Sequence, residues 1–356
     1  MNHKSVLMTL IILLPAAAAG AEIINKDGNK LDLYGQLNGV HYFSSDADNN
    51  GDRSYTRFGF KGETQIADGL TGYGQWEYQA GLDQPESAGP GNSYTRLGFA
   101  GLTFGRWGSL DYGRNYGLLY DVAGWTDVLP EFGNDSYEAA DNFMTGRANG
   151  LLTYHNRSLG GLDLGLQYQG KNRGDDAQRA KDIQTQNGDG YAFSATYDTG
   201  VGLNVGGAYA NSARTLAQQR FGLADGDRAR AWTLGLKYDQ DNLYLAASYA
   251  RTENMTYVDG DRYAGFAPRA DAIEAVAQYH FDSGVTPSVA YLQTRGRNLP
   301  GIGDADLVKY LDLALYYSFH PILSTSGSNH HTPLHRKTAG GAAADDIVET
   351  GIMYQF

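Results

Sequence analysis

The sequence predicts an all-β protein, a transmembrane antiparallel β-barrel of about 16 strands. Three observations predict it. Polar and apolar residues alternate along most of the chain from Lys30 on. Short and long connections take turns between the alternating runs. The chain then ends on a run that places Val348, Ile352, Tyr354 and Phe356 on one face.

A period of two puts successive side chains on opposite faces of a sheet. From Tyr55 to Ile66 one face carries Tyr55, Arg57, Lys61, Glu63 and Gln65, and the other carries Thr56, Phe58, Phe60, Thr64 and Ile66. The same split recurs where Trp76 and Tyr78 oppose Gln75, Glu77 and Gln79. It returns where Trp232, Leu234 and Leu236 oppose Thr233 and Lys237, and where Ile273 and Ala275 oppose Glu274. Alternation alone fits a soluble sandwich equally well, because it does not say which face meets water.

The connections favour the barrel. Brief turns stand at 67–69, 198–200, 239–242 and 282–284. Long polar loops are expected at 46–53, 82–93, 117–144, 172–189, 211–230, 252–270 and 296–306, with a last one before Asp346. Short turns at one end and long loops at the other mark outer-membrane barrels, and eight long loops imply about 16 strands, an even number. Aromatic clusters (Tyr42-Phe43, Tyr168, Tyr197, Tyr249, Tyr316-Tyr317-Phe319) are expected as girdles at the membrane interfaces. Aromatic closure of the last run fits a terminal strand that pairs with the first and leaves no open edge.

Composition agrees. There are 47 Gly and 26 Tyr against 9 Pro and no Cys, as many turns and short strands require. A formal charge of −12 argues against a nucleic-acid partner. Met1 to Ala21 joins a short basic start to an apolar stretch and a small-residue tail, so residues 1–20 read as an export signal and 21–356 as the barrel. That apolar stretch is roughly ten residues, short of the ~20 of a spanning helix. An enzyme would need a nucleophile with a base, yet there is no Cys and no GxSxG motif. No cofactor is expected. His330, His331 and His335 have metal-ligand chemistry, but the Gly, Pro and Ser around them disfavour the helix that would converge two imidazoles.

Several motifs together resemble the trimeric general porins of enteric bacteria. They are AEIINKDGNKLDLYGQ from Ala21, RFGFKGETQI from Arg57, LTGYGQWEY from Leu70, TRLGFAGL from Thr95, DYGRNYG from Asp111, LPEFGND from Leu129, GIGDADLVKY from Gly301 and the final MYQF. The resemblance implies three chains per functional unit, each with its third long loop, Gly117 to Met144, folded into the pore. Asp127 and Glu131 would then form the acidic side of a constriction and Arg57, Arg96 and Arg147 its basic side, with Gln36, Tyr55 and Tyr120 lining it. Glu86 and Arg114 would latch neighbouring subunits. Expected partners are the outer-membrane lipid and lipopolysaccharide, and the barrel-assembly machinery acting on the strand that ends at Phe356. The expected function is passive diffusion of small hydrophilic solutes and ions across the outer membrane of a Gram-negative bacterium. A substrate-specific channel on the same barrel is the alternative. Alternation also predicts that Arg57 points inward, that Arg96 does so out of phase with Leu97 and Phe99, and Arg147 out of phase with Leu152 and Tyr154. Opposite charges across a wet neck orient dipolar solutes, and net acidity favours cations.

Two departures stand out. Gln36 occupies a position where cation-preferring porins commonly carry lysine, which should strengthen cation preference. After Leu323 the chain reads STSGSNHHTPLHRKTAGGAAA, and residues 326–345 form an atypical segment in place of a fifteenth strand. A spanning strand needs about 9–11 residues with one lipid-compatible face. Pro333 cannot donate to a ladder. Pattern loss with recovery at Ile347 is what a compensated pair of frameshifts would produce. A nucleotide sequence whose alternative frame restores no Tyr-rich strand would remove that hypothesis.

Overall fold

The computed structural model describes residues 21–89, 91, 93–129, 131–133, 136–137, 142–172, 183–258, 264–320, 323–331 and 346–356. Residues 1–20, which the sequence reading takes as an export signal, and the segment 332–345, with His335, lie outside them.

Sixteen antiparallel strands form one ring: β1 (Asn29–Phe43), β2 (Tyr55–Ala67), β3 (Leu70–Gly81), β4 (Tyr94–Thr103), β5 (Ser109–Tyr116), β6 (Arg147–Leu159), β7 (Leu162–Gln169) and β8 (Gly190–Asp198) make one half. The other half is β9 (Leu203–Ala213), β10 (Arg228–Gln240), β11 (Leu243–Glu253), β12 (Arg269–Tyr279), β13 (Val285–Leu299), β14 (Gly303–His320), β15 (Leu323–His331) and β16 (Ile347–Gln355). Each pairs with the next, and β16 closes on β1 from Gln36↔Gln355 to Phe43↔Val348. A short N-terminal strand, Ala21–Lys26, pairs with the start of β1 along the same edge. At the junction Gly35 and Phe356 exchange two backbone hydrogen bonds of 2.8 and 2.9 Å.

Side-chain exposure decides between sandwich and barrel. On β10, Leu234 and Leu236 are 59% and 55% exposed while Thr233 between β9 and β11 is 0% exposed. The outward face carries an apolar band, with Leu37, Leu166, Phe193, Ile273, Leu313 and Ile352 all exposed. A soluble protein would reverse this arrangement; an apolar outside and polar inside suits a lipid-embedded barrel. No helix among the described residues is long and apolar enough to cross a membrane.

The ladder differs from the sequence reading in three places. The expected loop 296–306 is mostly strand, because β13 and β14 extend to a tight turn with Leu299 opposite Gly303. An Arg297–Asp304 ion pair of 2.8 Å helps hold that extension. The backbone of Leu323–His331 pairs with both β14 and β16, so the first six residues of the segment 326–345 continue the ladder. In the aromatic clusters, Phe43, Tyr168, Tyr197 and Phe319 face outward, but Tyr42 faces the lumen and Tyr316 is buried.

The third loop enters the barrel through the short helix α1 (Tyr120–Ala123). Its seat is a wall of small residues. Ala192, Ala208, Ala210, Ala231 and Ala250 are buried with Leu118, Leu119, Val122 and Phe143 of the loop. Gly206 and Gly235 are cross-strand partners. A Cβ on Gly206 would stand 2.7 Å from Trp125, and one on Gly235 would stand 2.5 Å from Val122. The loop lies against the wall because the wall presents only methyl groups and bare glycines there.

Candidate functional site

Alternation places Arg57 in the lumen on β2, where its Nε donates to Gln79 Oε1 of β3 at 2.7 Å. Gln36 sits opposite Arg57 on β1. Arg96 arrives differently. The ladder between β3 and β4 skips a residue, with Glu77 opposite Leu97 and Tyr78 opposite Thr95, so Arg96 is the extra residue of a bulge. The bulge, and not alternation, aims it inward. Phe99 lies on the same side, its ring against Tyr73, whose hydroxyl donates to Asp111.

Arg96 is held by Glu77, with Nε donating to its carboxylate at 2.5 Å, and its Nη1 also reaches Gln79 at 3.5 Å. Glu77 takes a further hydrogen bond from Tyr34. Glu77, which reads from sequence as general wall polarity, is thus part of the basic cluster and neutralises one of its three cations. Arg147 lies 5.8 Å over the ring of Tyr116.

The loop supplies the acidic side, and tyrosines join it to the wall. Tyr42 donates to Glu131 Oε1 at 2.7 Å and Tyr55 to Oε2 at 3.4 Å. Arg57 lies 4.7 Å over the Tyr55 ring, linking Glu131 to the basic cluster through one aromatic group. Asp127 accepts from the Tyr120 hydroxyl. Burial, and then the charge of Asp127, hold that hydroxyl well above the ordinary tyrosine range, so it stays a donor. Tyr120 stacks at 4.2 Å on Tyr116, which carries Arg147 on its other contact. The eight sequence-predicted neck residues fall into two contact groups, one of Glu131, Tyr55, Arg57 and Arg96 with Gln36 opposite Arg57, the other of Asp127, Tyr120 and Arg147 joined through Tyr116.

Sequence reasoning missed Tyr42, Tyr116 and Gln79 and gave Glu77 too small a part. For Tyr42 the signal was available, since it shares the parity of Gln36 rather than that of the exposed Phe43. The remaining pair is not brought together. Glu86 is exposed in the loop between β3 and β4, while Arg114 lies on β5 and donates to Thr95 O and Asn149 Oδ1 of its own chain.

The foot of the loop also brings Asp121, His155 and Ser194 together. Ser194 Oγ donates to Asp121 Oδ2 at 2.5 Å, and His155 Nε2 meets the same oxygen at 3.1 Å. In a hydrolytic triad the imidazole takes the serine proton while the carboxylate orients the imidazole. Here the carboxylate sits in the middle, an arrangement that fastens α1 to β6 and β8.

Comparison with known proteins agrees with this architecture. The family described as Gram-negative porin matches residues 26–356. Outer membrane protein F of Serratia marcescens is 51% identical, with all of both chains covered. Outer membrane porin N of Escherichia coli strain K12 is 49% identical over 99% of this chain and 100% of that one. The solved structure of Salmonella typhi OmpF in complex with daunomycin superposes with a TM-score of 0.86 at 43% identity, covering 94% of this chain and 100% of that one. With its outside apolar, its lumen polar and its third loop folded inward, the chain belongs to the Gram-negative porin family, passive diffusion channels of the outer membrane and not enzymes.

Proposed function

We propose that this channel is weakly cation-selective and that its neck is the Asp127–Glu131 loop segment facing Arg57, Arg96 and Arg147. The observation that carries the reading is the charge inventory of the cluster. Three guanidinium groups are met by three carboxylates, because Glu77 stands against Arg96 and Gln36 adds no charge. The acidic balance of the whole chain then tips a nearly neutral neck toward cations. The test is a reversal potential across a planar bilayer in a salt gradient. The native channel is expected to favour the cation, and D127N/E131Q to favour chloride. Gln36→Lys should move the potential in the same direction by a smaller amount. A chloride-selective native channel would overturn the reading. A substrate-specific channel is the weaker alternative, since among the described residues the neck tyrosines are engaged with its carboxylates and arginines instead of forming a bare aromatic ladder.

The functional unit is proposed to be a homotrimer, with Glu86 at an exposed loop available to a neighbouring subunit. A single-chain mass for the detergent-extracted protein would count against it. Residues 1–20 are proposed to be the export signal, and the strand ending at Phe356 the segment handled by the barrel-assembly machinery.

The lipid partner has support on the outer wall near the long loops. Arg251 Nε, Arg269 Nη2 and Arg297 Nε converge on Asp271 at 2.9, 3.1 and 2.9 Å. Tyr249 donates to the same carboxylate and also lines an apolar groove of about 740 Å³ between Tyr197, Val205, Leu234, Leu236 and Ala247. Guanidinium groups above an acyl-sized groove suit the phosphates and chains of lipopolysaccharide. R251A/R269A/R297A is expected to retain severalfold less lipopolysaccharide through purification, measured by mass spectrometry of the extracted lipid. Equal retention would refute the site.

A further inference from the structure

The acidic segment can act as a neck only if it is fixed relative to the wall, and hydrogen bonds within the loop do not fix it. Glu274 does. It projects from β12 behind the loop and is 2% exposed. Thr126 Oγ1 donates to its Oε2 at 2.5 Å, and the Ser136 hydroxyl donates to its Oε1. Thr126 immediately precedes Asp127, and Ser136 follows Glu131 by five positions. We infer that Glu274 is the positioning residue of the constriction, one wall carboxylate that clamps both flanks of the segment carrying Asp127 and Glu131.

Two physical points support this. A carboxylate is expensive to bury, and the neighbouring lumenal positions of β12 are Ala270, Ala272 and Val276, all buried without a charge. Retaining an acid there needs a compensating role, and charge-assisted hydrogen bonds to two points ten residues apart provide one. A threonine hydroxyl also has a single proton to give. Thr126 Oγ1 lies 3.1 Å from Ala123 O and 3.5 Å from Ser248 Oγ, but the carboxylate at 2.5 Å is both nearest and charged. Gln278, which donates to Val128 O, and Tyr244, which donates to Trp125 O, add neutral tethers along the same stretch.

The inference rests on the acidic segment being the neck, and the experiment separates the two. Single-channel noise and the largest sugar admitted are measured for E274A in planar bilayers and liposomes. Losing two charge-assisted hydrogen bonds should raise the loosened population by roughly tenfold or more. Noise and size limit are therefore expected to rise. Because the chain has no cysteine, T126C/S248C can be added to E274A as a tether at the 3.5 Å approach. Oxidation should restore the native size limit and reduction should abolish the rescue, which separates positioning from loss of charge. A native size limit in E274A overturns the inference, as does an altered one that the oxidised tether leaves unchanged. If E274A does not assemble, E274Q takes its place, with an intermediate size limit expected and a native one counting against the clamp. Unchanged selectivity in D127N/E131Q would instead indict the neck assignment, whatever E274A shows.

Discussion

Gly35→Leu is expected to leave the chain largely unable to close its barrel, so that folded protein in the outer membrane falls to a small fraction of the native level. The seam of the ring lies at this residue. Upstream, β1 pairs with the N-terminal strand, and downstream it pairs with β16, so Gly35 and Phe356 make the hydrogen bonds that splice the two. A Cβ on Gly35 would stand 2.7 Å from the carbonyl oxygen of Arg57 and 2.8 Å from Cζ of Phe356. The ring of Phe356 could rotate away; the β2 backbone cannot. Overpacking costs about 1–3 kcal/mol where side chains can adjust, and more where a ladder must open. In a membrane the opened ladder would also leave backbone groups without partners. Gly39→Ala is the internal control, because a Cβ there meets Ile352 Cγ2 at an ordinary 3.6 Å on the same face of the same strand. The measurement is the fraction of protein with the altered gel mobility of a folded barrel before heating. Equal folded fractions for Gly35→Leu and Gly39→Ala would show that the seam tolerates the change.

The strand framework was legible wherever one face had to meet lipid, because there the chemistry of each residue reports its side. It was not legible where that requirement lapses. Gly296 to Asp306 reads as a loop because Gly, Pro, Asn and charged residues break its alternation, yet a ladder that rises into water needs no continuous apolar face and can be held by the Arg297–Asp304 pair. Leu323–His331 shows the opposite limit. Its side chains lack any alternation, but β14 and β16 on either side present donors and acceptors that require partners, and the backbone supplies them regardless of pattern.

The proposed neck was legible in part, and for unequal reasons. Arg57 follows from parity. Arg96 reaches the lumen through a bulge that alternation cannot see, so the sequence argument placed it correctly on a mistaken ground. Tyr42 was misassigned because clustering with Phe43 outweighed phase. The contacts that set the loop join residues far apart in the chain, Thr126 to Glu274 across 148 positions and Tyr42 to Glu131 across 89. Such pairs depend on the full circumference of the ring and on the loop's path, neither of which a local pattern contains.

Gly235→Leu is expected to push the third loop toward the pore axis and lower single-channel conductance, by roughly half if the neck limits the current. Gly235 and its partner Gly206 form the floor under Val122 and Trp125. A Cβ on Gly235 would come within 2.5 Å of Val122 Cγ1 and 3.1 Å of Trp125 Cε3, and leucine adds three more carbons in the same space. The wall strand cannot retreat, since β10 is paired along its length with β9 and β11. The loop therefore moves, and the direction open to it is the lumen, where Asp127 and Glu131 approach the arginine side. Conductance should fall while the barrel keeps its folded gel mobility. Gly207→Leu is the matched control. It follows Gly206, the cross-strand partner of Gly235, but faces outward, where the nearest obstacle is the flexible end of Leu234 at 2.9 Å, so its channel should conduct as the native one does. Gly235→Leu with native conductance would mean that the loop is seated by its clamps alone. In that case E274A alone should alter the pore, and adding Gly235→Leu to it should change nothing further.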